Sequence, residues 1–105
     1  MGEVLTFLRT VPSQKEAQNT ISQLAQNGKI KWTKHAKERM EERGVSILQV
    51  INCLLKGRIT SIDQYKDDVG FKVGLERIVA GEKIRVVVFL ESNNTVVKIV
   101  TVMNI

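Results

Sequence analysis

The sequence lacks the residues and segments that several classes of protein require. Cys53 is the only cysteine among 105 residues, so neither an intrachain disulfide nor a cysteine metal cluster can form. His35 is the only histidine, which leaves too few good ligands for a zinc site. No apolar run approaches the ~20 residues that a membrane-spanning helix needs, and the opening MGEVLTFLRT lacks the pattern of a signal peptide. We therefore expect a cytoplasmic protein without metal, cofactor or membrane association.

Two common catalytic arrangements are also missing. The sequence has no glycine-rich phosphate loop, and Gly74 lies in a predicted strand, where glycine more often marks a bulge or close packing. Cys53 is expected at the polar edge of a helix, with no second histidine to activate its thiol. The sequence therefore gives no reason to expect a nucleotide-binding loop or a thiol nucleophile.

Basic residues are in excess, and they are concentrated in one segment. The net charge is +5, and residues 29–43 carry six lysines and arginines against three glutamates, which is +3 of that +5. Such a cluster favours a polyanionic partner such as nucleic acid, although a basic protein without such a partner is an equal alternative on charge alone. With 43% hydrophobic residues, the chain can form one folded domain, residues 1–105.

Three helices are predicted in the first half of the chain. The first covers residues 13–27, where Ser13 and Glu16 form a capping box. The second lies between residues 33 and 44, which suit a helix cap and a helix end. The third runs from residue 46 to residue 57. We expect its buried face to consist of Ile47, Leu48, Ile51, Leu54 and Leu55.

Strands are predicted after residue 57. The segments KIRVVVFLE and TVVKIVTVMNI are rich in β-branched residues, and FKVGLERIVA alternates, with Phe71, Val73, Leu75 and Val79 on one face. Helices followed by strands with tight turns indicate an α+β fold. We expect the helices to cover one face of an antiparallel sheet of three or four strands.

The second predicted helix brings the histidine together with two arginines. On an ideal helical projection, His35, Arg39 and Arg43 follow one another at intervals of one turn and share the arc of the apolar residues. The opposite side carries lysines and glutamates, namely Lys34, Lys37, Glu38 and Glu41. We therefore expect the histidine and arginines to point towards the rest of the protein or a groove beside it.

A structural explanation of this arrangement stays open. His35 is consistent with a core histidine that is bonded to a carbonyl group, and the two arginines are consistent with ion pairs that hold the helix to the sheet. The available carboxylates are Glu42, Asp63, Asp67 and Asp68. In that case the three residues contribute stability and no chemistry.

The motif HAKERMEERGVS, residues 35–46, resembles the signature of a family of small bacterial and phage proteins that is described as a domain of unknown function. The likeness runs from about Trp32 to the C-terminus. The family is similar to the RelE and BrnT toxins and, more distantly, to barnase-like ribonucleases. The resemblance implies a RelE-like core at residues 29–105, a helical extension at residues 1–28, and RNA cleavage without metal.

Such cleavage needs the 2′-hydroxyl deprotonated, the leaving 5′-oxygen protonated and the charge at phosphorus stabilised. His35 suits proton transfer because imidazole titrates near neutrality. Arg39 and Arg43 suit phosphate binding because guanidinium presents a planar fork of donors. Glu42 is a candidate for the second proton transfer, and it is equally suited to hold Arg39 in place.

Further candidates come from the strands and from the lysines. Arg77 interrupts the apolar face of its strand, and Thr101 begins the final Thr-Val step of the motif. Both are expected as catalytic residues. The predicted contacts to the RNA backbone are Lys34, Lys37, Lys72 and Arg85.

The expected function is that of a toxin-like, metal-independent endoribonuclease. Its expected substrate is RNA, an antitoxin protein is a candidate partner, and association with the ribosome is left open. One alternative is a non-catalytic nucleic-acid-binding or regulatory domain of the same fold. Another is a protein-interaction module that binds an acidic partner. The oligomeric state is left open.

Overall fold

The protein, represented by a computed structural model, is described at residues 12–64, 70–91, 93 and 95–105. In these residues it has an α+β fold with three helices and five strands. In chain order the elements are α1 (Gln14–Gln26), β1 (Ile30–Trp32), α2 (Lys34–Arg43), α3 (Ile47–Lys56), β2 (Arg58–Gln64), β3 (Gly70–Val79), β4 (Glu82–Glu91) and β5 (Val97–Asn104).

The three predicted helices are confirmed, and their ends follow from local hydrogen bonds. At the start of α1 the Ser13 hydroxyl accepts from the Glu16 N–H, and the Glu16 carboxylate accepts from the Ser13 N–H. Ser46 and Gln49 form the same reciprocal pair at α3. Gly44 ends α2 at a φ of 64°, where glycine avoids steric strain. Of the helices in the described segments, none is long and apolar enough to cross a membrane.

The sheet has five strands in the order β1-β5-β4-β3-β2. Strand β1 runs parallel to β5, and the other pairs are antiparallel. The predicted sheet of three or four antiparallel strands was therefore wrong, because it omitted β1. With three residues, β1 is too short to show alternation in the sequence. Its pairing with residues 97–99 is a long-range contact that no local pattern reports.

One face of the sheet forms the core with the helices. Alternate residues of β4 on this face, Ile84, Val86, Val88 and Leu90, are at most 2% exposed. They belong to one cluster with the buried residues of all three helices. Helix α2 packs on β5, α3 packs on β3 and β4, and α1 packs against α3 and β2. The apolar face of β3 meets the helices, since Phe71, Val73 and Leu75 lie in this cluster.

Two details of α3 correct the sequence analysis. Ile47 and Leu48 are 56% and 77% exposed, although both were expected in the buried face. Cys53, expected at a polar edge, is fully buried. The helix is apolar around most of its circumference, so the sequence does not decide its rotation. Contact with the sheet selects the face that contains Val50, Cys53 and Leu54.

The opposite face of the sheet is covered by no helix of the described segments. The intervening residues of β4, which are Arg85, Val87, Phe89 and Glu91, are all partly exposed. Residues opposite one another in neighbouring strands point to the same side, so the strand register identifies the other residues of this surface. We call it the open face.

Candidate functional site

Helix α2 carries the motif residues, and both of its ends are tied to β5. At its start the Thr33 hydroxyl accepts from the Ala36 N–H at 3.1 Å and donates to the Ile99 carbonyl at 2.7 Å. At its end the Asn104 side-chain amide donates to the Arg43 carbonyl at 3.3 Å. These contacts fix the position of α2 at the β5 side of the sheet.

His35, Arg39 and Glu42 are linked on the surface of α2, and we call them the His35 cluster. The Arg39 Nε donates to the His35 Nε2 at 3.5 Å, and the Arg39 Nη1 lies 3.2 Å from the Glu42 Oε1. An imidazole that accepts this bond at Nε2 is the tautomer with its proton on Nδ1. The cluster is accessible: His35 is exposed, and the side chains of Arg39 and Glu42 are 41% and 61% exposed.

The expected orientation of the three motif residues is only partly found. His35 and Arg43 are exposed, so His35 is not a core histidine. Trp32 precedes the helix as part of β1, and the buried side of α2 consists of Ala36 and Met40. The apolar arc is therefore narrower than the sequence implied, and its flanks are open to solvent.

The ion pairs proposed as a structural alternative are also only partly present. Arg39 pairs with Glu42, as that alternative expected. Asp67 and Asp68 lie outside the described residues. Within the described ranges, no carboxylate lies within ion-pair distance of Arg43. None of these contacts joins an arginine of α2 to the sheet.

Arg77 faces the helices, as its position in an apolar strand face predicted, and it binds α3. Its Nε donates to the Asn52 Oδ1 at 2.6 Å, and its Nη1 donates to the Lys56 carbonyl at 3.2 Å. The register places it two strands and four residues from Ile99, roughly 16 Å at ordinary sheet spacing. Arg77 therefore lies apart from the start of α2 and from His35.

The other candidates divide between α2 and the open face. Lys34 and Lys37 are exposed on α2. Thr101 pairs with Val87, so it lies on the open face, on the other side of the sheet from Arg77. Lys72 and Arg85 also lie on the open face. The structure thus brings together only His35, Arg39 and Glu42 by direct contact.

A row of residues on the open face was missed by the sequence analysis. It crosses all five strands in the order Lys31, Lys98, Phe89, Lys72 and Asp63. The Lys98 Nζ lies 5.9 Å from the centre of the Phe89 ring. We call this the Phe89 row. The alternation of KIRVVVFLE was a usable signal, because it separates Phe89 from the buried residues on either side of it.

Polar side chains fill the space over Gly74, beside this row. A Cβ at Gly74 would meet the Ser61 Oγ at 2.7 Å, the Thr60 Oγ1 at 3.1 Å and the Arg85 Nη2 at 3.7 Å. Strand β2 is irregular at this point, between Ile59 and Ser61. Glycine is therefore needed here because polar side chains of the open face approach its backbone closely.

Glu76 is the main anion of this region. Its carboxylate lies 3.4 Å from the Lys83 Nζ and 3.9 Å from the Arg85 Nε. The Arg85 Nε itself is buried without a hydrogen-bond partner, whereas a third of the side chain stays exposed, 37%. Arg85 is thus held by charge and keeps donors available at the surface.

The interior offers no alternative site in the described part of the chain. Burial raises the pKa of the Cys53 thiol to about 12, so it is protonated at neutral pH and a poor nucleophile. No group of three or more histidine, cysteine, aspartate or glutamate side chains comes together there as a metal site.

Comparison with known proteins identifies the family. Residues 32–104 match the model of the family described as a domain of unknown function, DUF4258. The match covers more than two thirds of the chain, so the protein belongs to this family. It begins at Trp32, where the motif likeness also begins, and α1 precedes it. No curated protein and no solved structure matches significantly.

Proposed function

We propose that this member of the DUF4258 family is a toxin-like endoribonuclease, similar to the RelE-type toxins, which cleaves RNA without metal at the His35 cluster. The observation that carries the proposal is the exposed contact between Arg39 and His35 on a helix that is fixed at both ends. The contact places a proton acceptor, His35, beside a phosphate-binding group, Arg39. Exposed ion pairs contribute little stability, so stability alone gives no reason for the arrangement.

In the proposed reaction the Arg39 guanidinium turns from His35 to the oxygens of the scissile phosphate. The His35 Nε2 is then free to accept the proton of the 2′-hydroxyl. The 2′-oxygen attacks phosphorus, and the bond from phosphorus to the 5′-oxygen breaks. The products are a 2′,3′-cyclic phosphate and a 5′-hydroxyl, whose proton comes from water. Arg39 balances the charge that develops on the phosphate.

The surroundings of the cluster favour a polyanion. Lys34 and Lys37 are exposed on the same helix, and Arg43 is exposed one turn beyond Arg39. These cations attract RNA and hold its backbone. We assign Glu42 to the orientation of Arg39, because their contact is direct. An acidic antitoxin that covers this surface would inhibit the enzyme, and cellular RNA as the substrate implies a cytoplasmic location.

A second candidate is a non-catalytic RNA-binding domain of the same fold. The observation in its favour is that Arg77 and Thr101 lie away from His35, so the described residues provide one imidazole and no clear proton donor for the leaving oxygen. The same basic surfaces would then bind RNA without cleaving it.

The test is cleavage of end-labelled single-stranded RNA by the purified protein in EDTA. We expect fragments with 2′,3′-cyclic phosphate ends from the wild type and none from the His35→Ala variant. Lys15→Gln, an exposed change on α1, is the control and should cleave normally. Binding of RNA without cleavage by the folded wild type would select the non-catalytic alternative. Induction in bacteria should arrest growth, and His35→Ala should relieve the arrest.

A further inference from the structure

We propose that strand β2 is the contact surface of a symmetric homodimer, in which the β2 strands of two copies pair antiparallel and join their sheets into one. The inference does not depend on RNA cleavage. Three features carry it: the free outer edge of β2, the order of its side chains and the irregularity of the strand.

Strand β2 is an edge strand of seven residues whose outer side is unpaired in the described part of the chain. It lies at the end of the sheet, beside β3 only. No backbone hydrogen bond joins residues 58–63 to a described residue outside β3. The opposite edge is different, because β1 has only three residues and leads directly into α2, which is bonded to β5. Free N–H and C=O groups along an edge of this length pair readily with another strand.

The side chains of β2 are complementary to those of a second, antiparallel β2. When two copies of one strand pair about a twofold axis, the numbers of opposed residues have a constant sum. With the axis at the middle of residues 58–63, the opposed pairs are Arg58 with Asp63, Ile59 with Ile62, and Thr60 with Ser61. Each pair occurs twice in the dimer. Opposite charges, β-branched apolar residues and hydroxyls are cross-strand combinations that stabilise a sheet.

The irregularity of β2 turns the opposed side chains to the same face. In a regular strand, Arg58 and Asp63 would point to opposite faces, because they are five residues apart. The register shift after Ile59 inserts Thr60 as an extra residue. Arg58 and Asp63 consequently both lie on the open face, whereas the two isoleucines both face the helices. The hydroxyl pair also shares one face, since both hydroxyls approach Gly74.

The two charges of β2 are available for a partner, and they specify which partner fits. Arg58 and Asp63 are exposed, and within the described ranges neither lies within ion-pair distance of an opposite charge. Ile62 is only partly buried, so a second strand covers more of its apolar surface. A peptide of one charge sign would satisfy only one of the two charges. A second copy of this chain satisfies both.

The dimer leaves both His35 clusters uncovered. Each cluster lies on α2, at the β5 side of its sheet and three strands from β2. In the joined sheet the two β5 strands are separated by seven strand spacings, roughly 34 Å at ordinary spacing. The twofold axis is perpendicular to the sheet, so the open faces of both copies lie on the same side. We therefore expect dimerisation to leave RNA cleavage unchanged.

The test is sedimentation equilibrium of the purified chain from micromolar to millimolar concentration. We expect a reversible equilibrium between monomer and dimer for the wild type. Arg58→Glu and Asp63→Arg each oppose like charges at two symmetric positions and should weaken the dimer at least about 4-fold. An equal mixture of these two variants restores both pairs of opposite charge, so it should form heterodimers about as tightly as the wild type dimerises. Glu41→Arg makes the same change of charge at an exposed position of α2 and should dimerise normally.

Cross-linking gives a second measurement that does not depend on charge. Thr60→Cys places a thiol beside the twofold axis, and a short bismaleimide should join two copies there. The native Cys53 is fully buried, so it does not compete for the reagent. Glu41→Cys carries an equally exposed thiol on the other side of the sheet from β2 and should stay monomeric.

The results separate this inference from the proposed function. A chain that stays monomeric at millimolar concentration would overturn the inference and leave the edge for a strand of another protein. Dimers that both charge variants form as tightly as the wild type, or variants whose mixture gains nothing, would also overturn it. Should a charge variant unfold in circular dichroism, cross-linking decides, and equal yields from Thr60→Cys and Glu41→Cys would reject the pairing. An inactive wild type that dimerises as expected would retain the dimer and reject the nuclease.

Discussion

Arg39 and Arg77 were both expected as catalytic residues from the sequence, and the structure predicts opposite consequences when they are replaced. We consider Arg39→Met and Arg77→Met, which remove the guanidinium and keep most of the side-chain length. Arg39 forms contacts on the exposed surface of α2. Arg77 binds Asn52 and the last carbonyl of α3 from the helix-facing side of the sheet.

The expected losses of stability follow from these contacts. The exposed pair of Arg39 and Glu42 is three residues apart on a helix and contributes about 0.3–0.5 kcal/mol. Its loss lowers the melting temperature by less than about 4 °C in a domain of this size. Arg77→Met leaves Asn52 and the carbonyl of Lys56 without their charged donor. Hydrogen bonds to charged groups contribute about 1.5–3 kcal/mol. We therefore expect the free energy of unfolding to fall by about 2 kcal/mol and the melting temperature to fall by about 8–16 °C.

RNA cleavage should respond in the opposite order to stability, with the larger loss for Arg39→Met. Loss of a charge-assisted contact from Arg39 to phosphate should slow cleavage by about 10- to 150-fold. Arg77→Met, assayed well below its melting temperature, should stay within about 3-fold of the wild type, since about 3-fold is under 1 kcal/mol. Thermal melts by circular dichroism and cleavage in EDTA give both readouts. A destabilised but active Arg39→Met with a stable but inactive Arg77→Met would refute this assignment.

Three further predictions concern stability. Ala80 and Gly81 form the two-residue turn between β3 and β4, and Ala80 has a φ of 53°. Asparagine tolerates this angle better than alanine, so Ala80→Asn should raise the free energy of unfolding by about 0.5–1 kcal/mol in urea titrations. A decrease would contradict this account of the turn. Ser46→Ala removes the cap of α3 and should cost about 1 kcal/mol, whereas Ser22→Ala, within α1, should cost little. Folding raises the pKa of Cys53 from 9.0 to about 12. The contribution of the buried thiol to the free energy of unfolding is therefore complete below pH 9.0 and is lost as the pH rises towards 12. Cys53→Val should reduce this fall, and an identical pH profile would contradict the cause.

The sequence predicted features that depend on neighbouring residues and missed those that depend on distant ones. The caps at Ser13 and Ser46 and the end at Gly44 were correct, because each is a local pattern of hydrogen bonds and backbone angles. Strand β1 was missed because its partner lies more than sixty residues away. The rotation of α3 was wrong because contact with the sheet decides it.

The candidate site shows the same division. The contact between His35 and Arg39 follows from their spacing of four on a helix, which the sequence displays directly. The contact of Arg77 with Asn52 and the alignment of Lys98, Phe89 and Lys72 require the packing of α3 and the register of the sheet. Neither is encoded in a local pattern.

The proposed role of His35 is tested most directly by chemical rescue. The His35→Ala variant is assayed for cleavage of single-stranded RNA in EDTA, with and without added imidazole, beside the wild type. We expect the substitution to slow cleavage by about 10²- to 10⁴-fold, and imidazole to restore part of the rate because it enters the space of the missing ring. Cleavage by His35→Ala at the rate of the wild type would contradict the assignment of His35 as the proton acceptor.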